Sequence, residues 1–409
     1  MYLLVYKFGG SSVADAAGLR CAAGQLAAAA AAGFHIIAVV SAQGKTTDRL
    51  LQSTAELTAH PACREADQLL ATGEQASAAL MAMTLQEMGL PAVSLTGWQA
   101  GIHTDGNHAA AEITALHRRR ILRELEAGNY TQPLRSIALL PGGEKFGFMP
   151  ACLGDCFGAK VLSAFPQNAG TKYPSHIGYV LLFEGEHGSF LGMADAAVIT
   201  EIRTGAVSGV ATDLLARPDA HRLAIIGAGA QGRSHLAAMT VVRDIHSVTV
   251  YDQNTQTARR YCQEMEEKFG IPVTAADSVR EAVCDADIVC TVTPSREPYL
   301  ESDWIAPGTH INAVGAFTPT TREVTSTLVA KARLYADQVE AMRKECGEYL
   351  VPLQEGLIGP DHIVGSLGDV LLGRVPGRSS GEEITLFDAL GLAVEDVACV
   401  KYLCGGSRS

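Results

Sequence analysis

The chain has 409 residues, of which 47% are hydrophobic and 19% charged, a composition typical of a globular protein with two or three cores. Its net charge of −12 argues against nucleic acid or an anionic membrane surface as a partner. No apolar run reaches the roughly 18 residues that a membrane span needs, and the ten cysteines form no CxxC pair, so we expect a cytoplasmic protein with reduced thiols and no metal site.

The first 128 residues show the alternation of apolar strands and helices that favours a parallel sheet. Strands are predicted at Leu3–Phe8, Phe34–Ser41 and Ala92–Leu95, and helices at Asp15–Ala32 and Glu65–Glu87. The stretch Ile113–Gly128 predicts another helix, with Gly128 as its C-terminal stop.

From about residue 129 the pattern becomes β-rich and then returns to strand–helix units. Strands are predicted at Arg135–Leu140, Lys160–Phe165 and Gly178–Phe183, followed by a helix at Asp195–Leu215. Four βα units then begin with strands at Leu223–Ile226, Ser247–Tyr251, Ile288–Val292 and His310–Val314. The apolar segment Ile384–Tyr402 predicts a final helix.

The strongest chemical signal is a glycine turn, Gly227-Ala-Gly229-Ala-Gln231-Gly232, between a strand and a helix. In this pattern Gly227 permits the tight turn, Gly229 lets a pyrophosphate approach the backbone, and Gly232 lets helix and strand pack closely. The following helix presents free N–H groups to the phosphates. The spacing predicts a dinucleotide site.

An acidic residue at the end of the next strand bears on the choice of cofactor. Asp252 lies twenty residues after Gly232, where a carboxylate can bind the adenosine ribose hydroxyls. It would repel a 2′-phosphate, and Gln253 is not an arginine that would bind one. We therefore expect NAD(H) to be favoured over NADP(H).

The second part of the chain resembles the ornithine cyclodeaminase/mu-crystallin family. The family's motifs occur in order from about residue 130 to residue 409. They are FMPA at 148–151, GAKV at 158–161, ITEIRT at 199–204, GAGAQ at 227–231, TPSREP at 293–298, INAVG at 311–315 and EITLFD at 383–388. The resemblance implies a homodimer of two-domain subunits and chemistry at a C=N bond next to a carboxylate.

The resemblance also implies the site residues. Arg135, Lys160 and Arg203 should surround an imino or amino acid substrate, with Lys160 and Arg203 as catalytic residues. This agrees with the need for cationic donors that fix a substrate carboxylate. The cofactor should be bound by Ser175, Arg203, Thr204, Gly227, Gly229, Ala230, Gln231, Gly232, Asp252, Thr293, Val314 and Gly315.

One departure from the family pattern bears on the reaction. Ornithine cyclodeaminases carry an aspartate where this chain has Phe317, two residues after Val314-Gly315. Phenylalanine can neither hold an ammonium group nor move its protons. We therefore expect a reductase of cyclic ketimines such as 1-pyrroline-2-carboxylate, giving proline. Ornithine cyclodeamination, alanine-dehydrogenase-like activity and non-catalytic dinucleotide binding stay open.

The N-terminal segment resembles a different family, the aspartate kinases. Its motifs are KFGGSSVAD at 7–15, VSAQGKTTD at 40–48, ATGEQ at 71–75 and LTGWQAG at 95–101. The resemblance implies that Ser41 and Glu74 would contact an amino-acid substrate. The kinase family's later nucleotide-binding motifs do not occur in the chain, so no independent kinase activity is expected.

These observations predict an α/β protein of three parts. A truncated aspartate-kinase-like segment spans 1–128, and a β-rich substrate and dimerisation domain spans 129–217, completed by about 345–409. A Rossmann NAD-binding domain spans 218–344.

Overall fold

A computed structural model describes residues 3–108, 110–117, 120–121, 125, 130–168, 171–173 and 176–405. The chain forms two compact units, Met1–Asn129 and Tyr130–Ser409. Among the described residues, no helix combines the length and the apolar character needed to cross a membrane.

The first unit contains a small parallel sheet with helices on it. Strands β1 (Leu3–Phe8) and β2 (His35–Val40) pair in parallel, and helix α1 (Ala16–Ala31) begins at Asp15, whose side chain accepts from Gly18 N. Helices α2 (Thr46–Leu57) and α3 (Cys63–Glu87) follow, and then a short antiparallel pair, β3 (Ile102–Thr104) and β4 (Ile113–Leu116). The core includes Phe8, Val13, Leu19, Leu26 and Met81.

Two predictions for this unit are wrong. Ala92–Leu95 contains no strand. Ile113–Leu116, predicted to start a helix, is strand β4, because its apolar run is short enough to suit either structure and pairing with β3 decides between them. Most of the remaining predicted helix, 117–128, lies outside the described residues.

The second unit opens with an antiparallel sheet. Its strands are β5 (Tyr130–Thr131), β6 (Ser136–Leu139), β7 (Lys145–Leu153), β8 (Cys156–Ala164), β9 (His176–Glu184) and β10 (Phe190–Asp195). The order is β10-β9-β8-β7-β5, and β6 also pairs with β7. Register places Lys160 of β8 between Met149 and Val180, on the face that is covered by the rest of the unit.

An eight-stranded parallel sheet forms the larger part of this unit, in the order β13-β12-β11-β14-β15-β18-β16-β17. The strands are β11 (Arg222–Ile226), β12 (Ser247–Tyr251), β13 (Val273–Ala275), β14 (Ile288–Thr291), β15 (His310–Ala313), β16 (Arg333–Ala336), β17 (Ile363–Ser366) and β18 (Thr385–Asp388). The central strands are buried on both faces, as expected of a parallel sheet covered by helices on both sides.

The helices of this unit connect and cover the two sheets. They are α4 (Ala196–Leu215), α5 (Ala230–Val242), α6 (Thr255–Phe269), α7 (Val279–Val283), α8 (Ser326–Lys331), α9 (Val339–Glu345), α10 (Gly347–Gln354), α11 (Leu367–Leu371) and α12 (Ala393–Gly405). Helix α4 packs on α5 and on β9, so it joins the antiparallel sheet to the parallel one. Helix α12 returns to pack on β7, β8 and β9.

The C-terminal prediction needs two corrections. Ile384–Tyr402 is not one helix, because Thr385–Asp388 forms β18, buried between β15 and β16 in the parallel sheet. Residues 345–409 do not all complete the antiparallel domain, since β17 and β18 extend the parallel sheet while α12 packs on the antiparallel one. A fully buried strand has no alternating pattern, so its sequence is easily read as a buried helix.

Candidate active site

The glycine turn lies between β11 and α5, at the carboxyl edge of the parallel sheet. Gly227 has φ of 114°, a conformation that side chains other than glycine rarely adopt. A Cβ on Gly232 would lie 2.3 Å from the carbonyl oxygen of Gly227, so helix and strand approach too closely for any side chain there. At Gly229 a Cβ would meet nothing within 4 Å, so the backbone before α5 faces open space. This space beside free helical N–H groups suits a pyrophosphate.

Asp252 follows β12, the strand next to the turn. Its Oδ2 accepts from Ala228 N at 2.9 Å and its Oδ1 accepts from Asn254 N at 2.8 Å. The carboxylate is therefore fixed beside the glycine turn, where a ribose bound to the turn would meet it. Ala230 and Gln231 form the start of α5, and Gln231 Nε2 donates to Thr200 O on α4 at 3.4 Å.

The loops after β14 and β15 lie at the same edge of the sheet. Thr293 follows β14, and its Cγ2 would lie 3.2 Å from a Cβ on Gly227. Val314 N donates to Thr291 O at 3.1 Å, and the next residue, Gly315, lies directly against the backbone of Thr293. The predicted cofactor residues of three adjacent strands are thus neighbours. Ser175 lies outside the described residues.

The three predicted substrate residues converge on the segment from Leu390 to Asp396, although they come from different elements. Arg135 Nη2 donates to Leu390 O at 3.1 Å and to Gly391 O at 3.3 Å. The Arg203 guanidinium also lies against Gly391, where a Cβ would be 2.6 Å from both of its terminal nitrogens. Lys160 Nζ lies 2.8 Å from Asp396 Oδ2.

Each of these cations already has an anionic partner within the chain. Arg203 pairs with Glu395 at 2.9 Å and with Asp396 at 3.2 Å, and Arg135 pairs with Glu345 at 3.0 Å. These three carboxylates were not predicted from the sequence, because each is distant along the chain from the cation it contacts. The small cavity of about 10 Å³ beside Arg135 has room for a single water molecule.

Burial and pairing oppose one another in the electrostatics of this cluster. Burial lowers the pKa of Lys160, Asp396 raises it, and the nearby Arg203 lowers it further. Burial also disfavours the charged form of Arg203, yet Glu395 and Asp396 outweigh burial and raise its pKa. Burial raises the pKa of Glu395 to about 7, against the influence of Arg203. The cluster therefore holds groups that can exchange protons near neutral pH.

Helix α4 connects the cationic cluster to the glycine turn. Arg203 and Thr204 are buried side chains on α4, and Thr204 Oγ1 donates to Thr200 O at 2.6 Å. Ser234 of α5 donates through Oγ to Glu201 O at 2.6 Å, so the two helices are joined by hydrogen bonds. The packed helices α4 and α5 therefore connect the cationic cluster to the glycine turn.

In the N-terminal unit the kinase-like motifs also lie together. Ser41 N donates to Phe8 O at 3.0 Å, Gly44 N donates to Gly10 O at 3.0 Å, and Glu74 Oε1 accepts from Ala42 N at 3.2 Å. The motifs at 7–15 and 40–48 thus contact each other, and the second also contacts Glu74 of the ATGEQ motif on helix α3.

The chain matches two protein-family models. Residues 108–406 match the ornithine cyclodeaminase/mu-crystallin family, and residues 3–147 match the amino acid kinase family. Both resemblances stated from the sequence are confirmed.

Individual relatives match the second unit. A Delta(1)-pyrroline-2-carboxylate reductase of Bacillus cereus is 38% identical over 250 residues, which cover 61% of this chain and 77% of that protein. The structure of Thermococcus litoralis Delta(1)-pyrroline-2-carboxylate reductase in complex with NADH and L-proline is 38% identical with a TM-score of 0.65, covering 70% of this chain and 91% of that one. An archaeal alanine dehydrogenase dimer with bound NAD is 34% identical with a TM-score of 0.64, covering 67% and 84%.

Proposed function

Because the chain belongs to the ornithine cyclodeaminase/mu-crystallin family, we propose that it reduces a cyclic ketimine such as 1-pyrroline-2-carboxylate to the cyclic amino acid, proline. The observation that carries the proposal is the convergence of Arg135, Lys160 and Arg203 on the segment around Gly391. Helix α4, which carries Arg203, packs on the helix that follows the glycine turn. The relative solved with NADH and L-proline supports it, since proline is the product of this reduction.

The two arginines are suited to hold the substrate carboxylate. A guanidinium offers a planar fork of donors that matches a carboxylate, and it keeps its charge when buried. Arg135 and Arg203 both contact Gly391 and are held by Glu345 and Glu395, so their side chains are oriented before a substrate arrives. We assign substrate binding to Arg135, Lys160 and Arg203.

Lys160 is suited to manage the proton that the reduction requires. Reduction of C=N adds a hydride to carbon and a proton to nitrogen, and a buried ammonium with a lowered pKa can release that proton readily. Asp396 at 2.8 Å favours the charged ammonium, and Thr200 Oγ1 at 3.3 Å accepts a further hydrogen bond from it. We assign the donor role to Lys160, with water as the alternative source.

The glycine turn supports a dinucleotide at the edge of the parallel sheet. Gly229, Ala230, Gln231 and Gly232 would hold the pyrophosphate through backbone N–H groups, and Gly227, whose own N–H donates to Tyr251 O, would permit the turn that presents them. Asp252 would bind the ribose hydroxyls, and Arg203, Thr204, Thr293, Val314, Gly315 and, from the sequence, Ser175 would complete the site. Bound NADH supplies the hydride. We propose NAD(H) over NADP(H), because Asp252 would repel a 2′-phosphate.

We further propose that the protein is a homodimer formed through the outer face of the antiparallel sheet. Phe146, Phe148, Phe157, Ile177 and Tyr179 lie on this face and are exposed, whereas the opposite face is buried under α12. An apolar face of this kind normally marks a protein interface. The archaeal relative of similar fold is described as a dimer.

The three-part division of the chain follows from these assignments. We assign the antiparallel sheet with α12 to substrate binding and dimerisation, and the parallel sheet to the dinucleotide. Residues 1–128 are assigned no part in this reaction.

Cyclodeamination of ornithine is disfavoured because Phe317, half exposed beside Gly315, offers no group that could hold an amine.

The test is NADH oxidation with 1-pyrroline-2-carboxylate, compared with ornithine as a source of proline and ammonia. We expect ketimine-dependent oxidation of NADH, and a loss of kcat of about 100-fold or more in Lys160→Met with the NADH dissociation constant unchanged. Proline formed from ornithine without net NADH consumption, and no ketimine turnover, would overturn the proposal in favour of cyclodeamination.

A further inference from the structure

A buried carboxylate ties together the two loops that the proposed cofactor site uses. Glu323 is fully buried in the segment between β15 and α8. Its Oε1 accepts from Thr293 N at 2.7 Å, Thr293 Oγ1 at 2.6 Å and Tyr299 OH at 2.8 Å. Its Oε2 accepts from Gly315 N at 2.8 Å and Thr291 Oγ1 at 2.9 Å. One side chain therefore binds the loop after β14 and the loop after β15.

The position of Glu323 is itself fixed from several directions. Its backbone N–H donates to Glu348 Oε1 at 2.8 Å, and its carbonyl oxygen accepts from Tyr299 N and Leu300 N, both at 2.9 Å. Burial raises the pKa of the Glu323 carboxyl, and the five hydrogen bonds that it accepts oppose this shift because they replace the solvation it has lost. Two backbone N–H groups and three hydroxyls thus donate to this one carboxyl group.

The loops that Glu323 joins lie toward one particular end of the dinucleotide. Asp252 follows β12, on one side of β11, and would contact the adenosine ribose. Strands β14 and β15 lie on the other side of β11, so their loops face the half of the cofactor that carries the nicotinamide. Thr293 and Gly315 are in direct contact there.

We infer that Glu323 is a positioning residue for the nicotinamide half of the cofactor, acting through Thr293 and the backbone of Gly315. This inference rests on the proposed dinucleotide site. Without the anion, both loops lose their shared acceptor and the nicotinamide loses its fixed supports. The hydrogen bonds of the Glu323 carboxylate go to neither Asp252 nor the glycine turn, so we expect the adenosine half of the site to stay intact.

The experiment compares the binding of NADH with that of ADP-ribose, which lacks the nicotinamide, in Glu323→Gln. The glutamine has nearly the same shape, but its amide N–H₂ would face the N–H of Thr293 or Gly315, which cannot accept a hydrogen bond. We expect the dissociation constant for NADH to rise by about 10-fold or more and that for ADP-ribose to change by less than about twofold. With ketimine substrate, KM for NADH should rise more than kcat falls.

Two further variants keep the test decisive. Tyr299→Phe removes one donor to Glu323 and leaves the carboxylate in place, so it should raise the NADH dissociation constant by about three- to tenfold with ADP-ribose unaffected. Thr325→Val, in the same segment, removes a hydrogen bond to Leu300 O that does not involve Glu323, and it should change neither ligand.

The outcomes separate this inference from the proposed function. Equal loss of NADH and ADP-ribose binding in Glu323→Gln would mean a purely structural role and would overturn the inference. Unchanged NADH binding in both Glu323→Gln and Tyr299→Phe would overturn it as well. If Glu323→Gln does not fold, Tyr299→Phe decides. Failure of the unsubstituted protein to turn over any ketimine affects the proposed reaction only, whereas failure to bind either ligand removes the dinucleotide site.

Discussion

Asp396 lies 2.8 Å from Lys160 and 3.2 Å from Arg203, so one carboxylate on α12 contacts two of the three cations of the candidate site. Asp396 is fully buried, and only 3% of the surface of Lys160 is exposed. The cost of burying these charges is offset because they are buried together, and removing one partner leaves the others uncompensated. Burial lowers the pKa of Lys160, and Asp396 opposes that shift by favouring the charged ammonium.

The first prediction concerns Asp396→Asn, which keeps the shape and removes the charge. Loss of the anion lowers the pKa of Lys160 further, so the ammonium form disappears at a lower pH. We expect kcat/KM for ketimine reduction to fall about 10- to 100-fold at neutral pH, with the alkaline limb of its pH profile shifted to lower pH. The measurement is kcat/KM across the pH range.

The matched control is Asp155→Asn, which removes the partner of Lys401 in an exposed ion pair of the same domain. That variant should keep the activity and the pH profile. An Asp396→Asn enzyme whose profile keeps the original alkaline limb would contradict the role of Lys160 as proton donor.

The second prediction concerns cofactor preference. In the double variant Asp252→Ser/Gln253→Arg, a 2′-phosphate no longer meets an anion and gains a guanidinium. We expect the ratio of kcat/KM with NADPH to kcat/KM with NADH to rise about 100-fold or more. The serine hydroxyl can still accept from Ala228 N, which preserves the turn.

Gln253→Arg alone serves as the control for that change. With Asp252 still in place the repulsion persists, so the ratio should shift far less than in the double variant. Equal activity of the unsubstituted enzyme with both cofactors would argue that Asp252 does not contact the adenosine ribose.

The third prediction tests the apolar face of the antiparallel sheet. Phe148→Glu places a charge among Phe146, Ile177 and Tyr179, so it should convert a dimer into a monomer. Sedimentation velocity at micromolar concentration measures the change. Val241→Glu, at an equally apolar and highly exposed position on α5, should leave the mass unchanged. A monomeric unsubstituted protein would refute the proposed interface.

The fourth prediction concerns pH and stability. Burial raises the pKa of Glu348 to about 7, so the folded protein favours its neutral form. The stability that this neutral group contributes is complete below the unfolded pKa and is lost as pH rises through about 7. Glu348→Gln cannot ionise, and its oxygen can still accept from Glu323 N. The variant should therefore gain stability relative to the unsubstituted protein between pH 5 and pH 8, by more than about 1 kcal/mol.

Comparing Glu348→Gln with the unsubstituted protein at the same pH removes the contribution of other titrating groups to the difference in stability. His235 and His310 are buried with pKa values lowered to about 4 and about 3, and they act in the opposite sense in both proteins. Calorimetric melting of both proteins at each pH gives the difference. The control Glu297→Gln, at an exposed position, should show no difference in stability from the unsubstituted protein. A difference that does not grow with pH would contradict the raised pKa of Glu348.

Much of the fold could be predicted because its signals are local. The turn from Gly227 to Gly232 needs glycine at fixed positions, and β11, β12 and the helix after Asp195 lie close to their predicted bounds. Short apolar runs gave the errors at Ile113 and Ile384, since such a run suits a strand or a buried helix until its neighbours are known.

The anionic half of the site could not be predicted from the sequence. Glu345 and Glu395 contact Arg135 and Arg203 across about two hundred residues of chain, and Glu323 contacts the loops that follow two separate strands. Nothing in the residues around these carboxylates distinguishes them from surface acids. The positions of the cations followed from motif resemblance, but the ion pairs that orient them depend on how α12 docks, which is a tertiary property.

Helix α12 places Glu395 and Asp396 directly beside Val397 and Val400, which fill the core under the antiparallel sheet. A repacking of that core would rotate or shift the helix, and the two acids would move with it. Randomising this helix to broaden substrate scope would therefore destabilise the protein and displace the two carboxylates in the same variants. Libraries that hold residues 393–400 constant and vary the loop around Phe317 instead would separate the two effects.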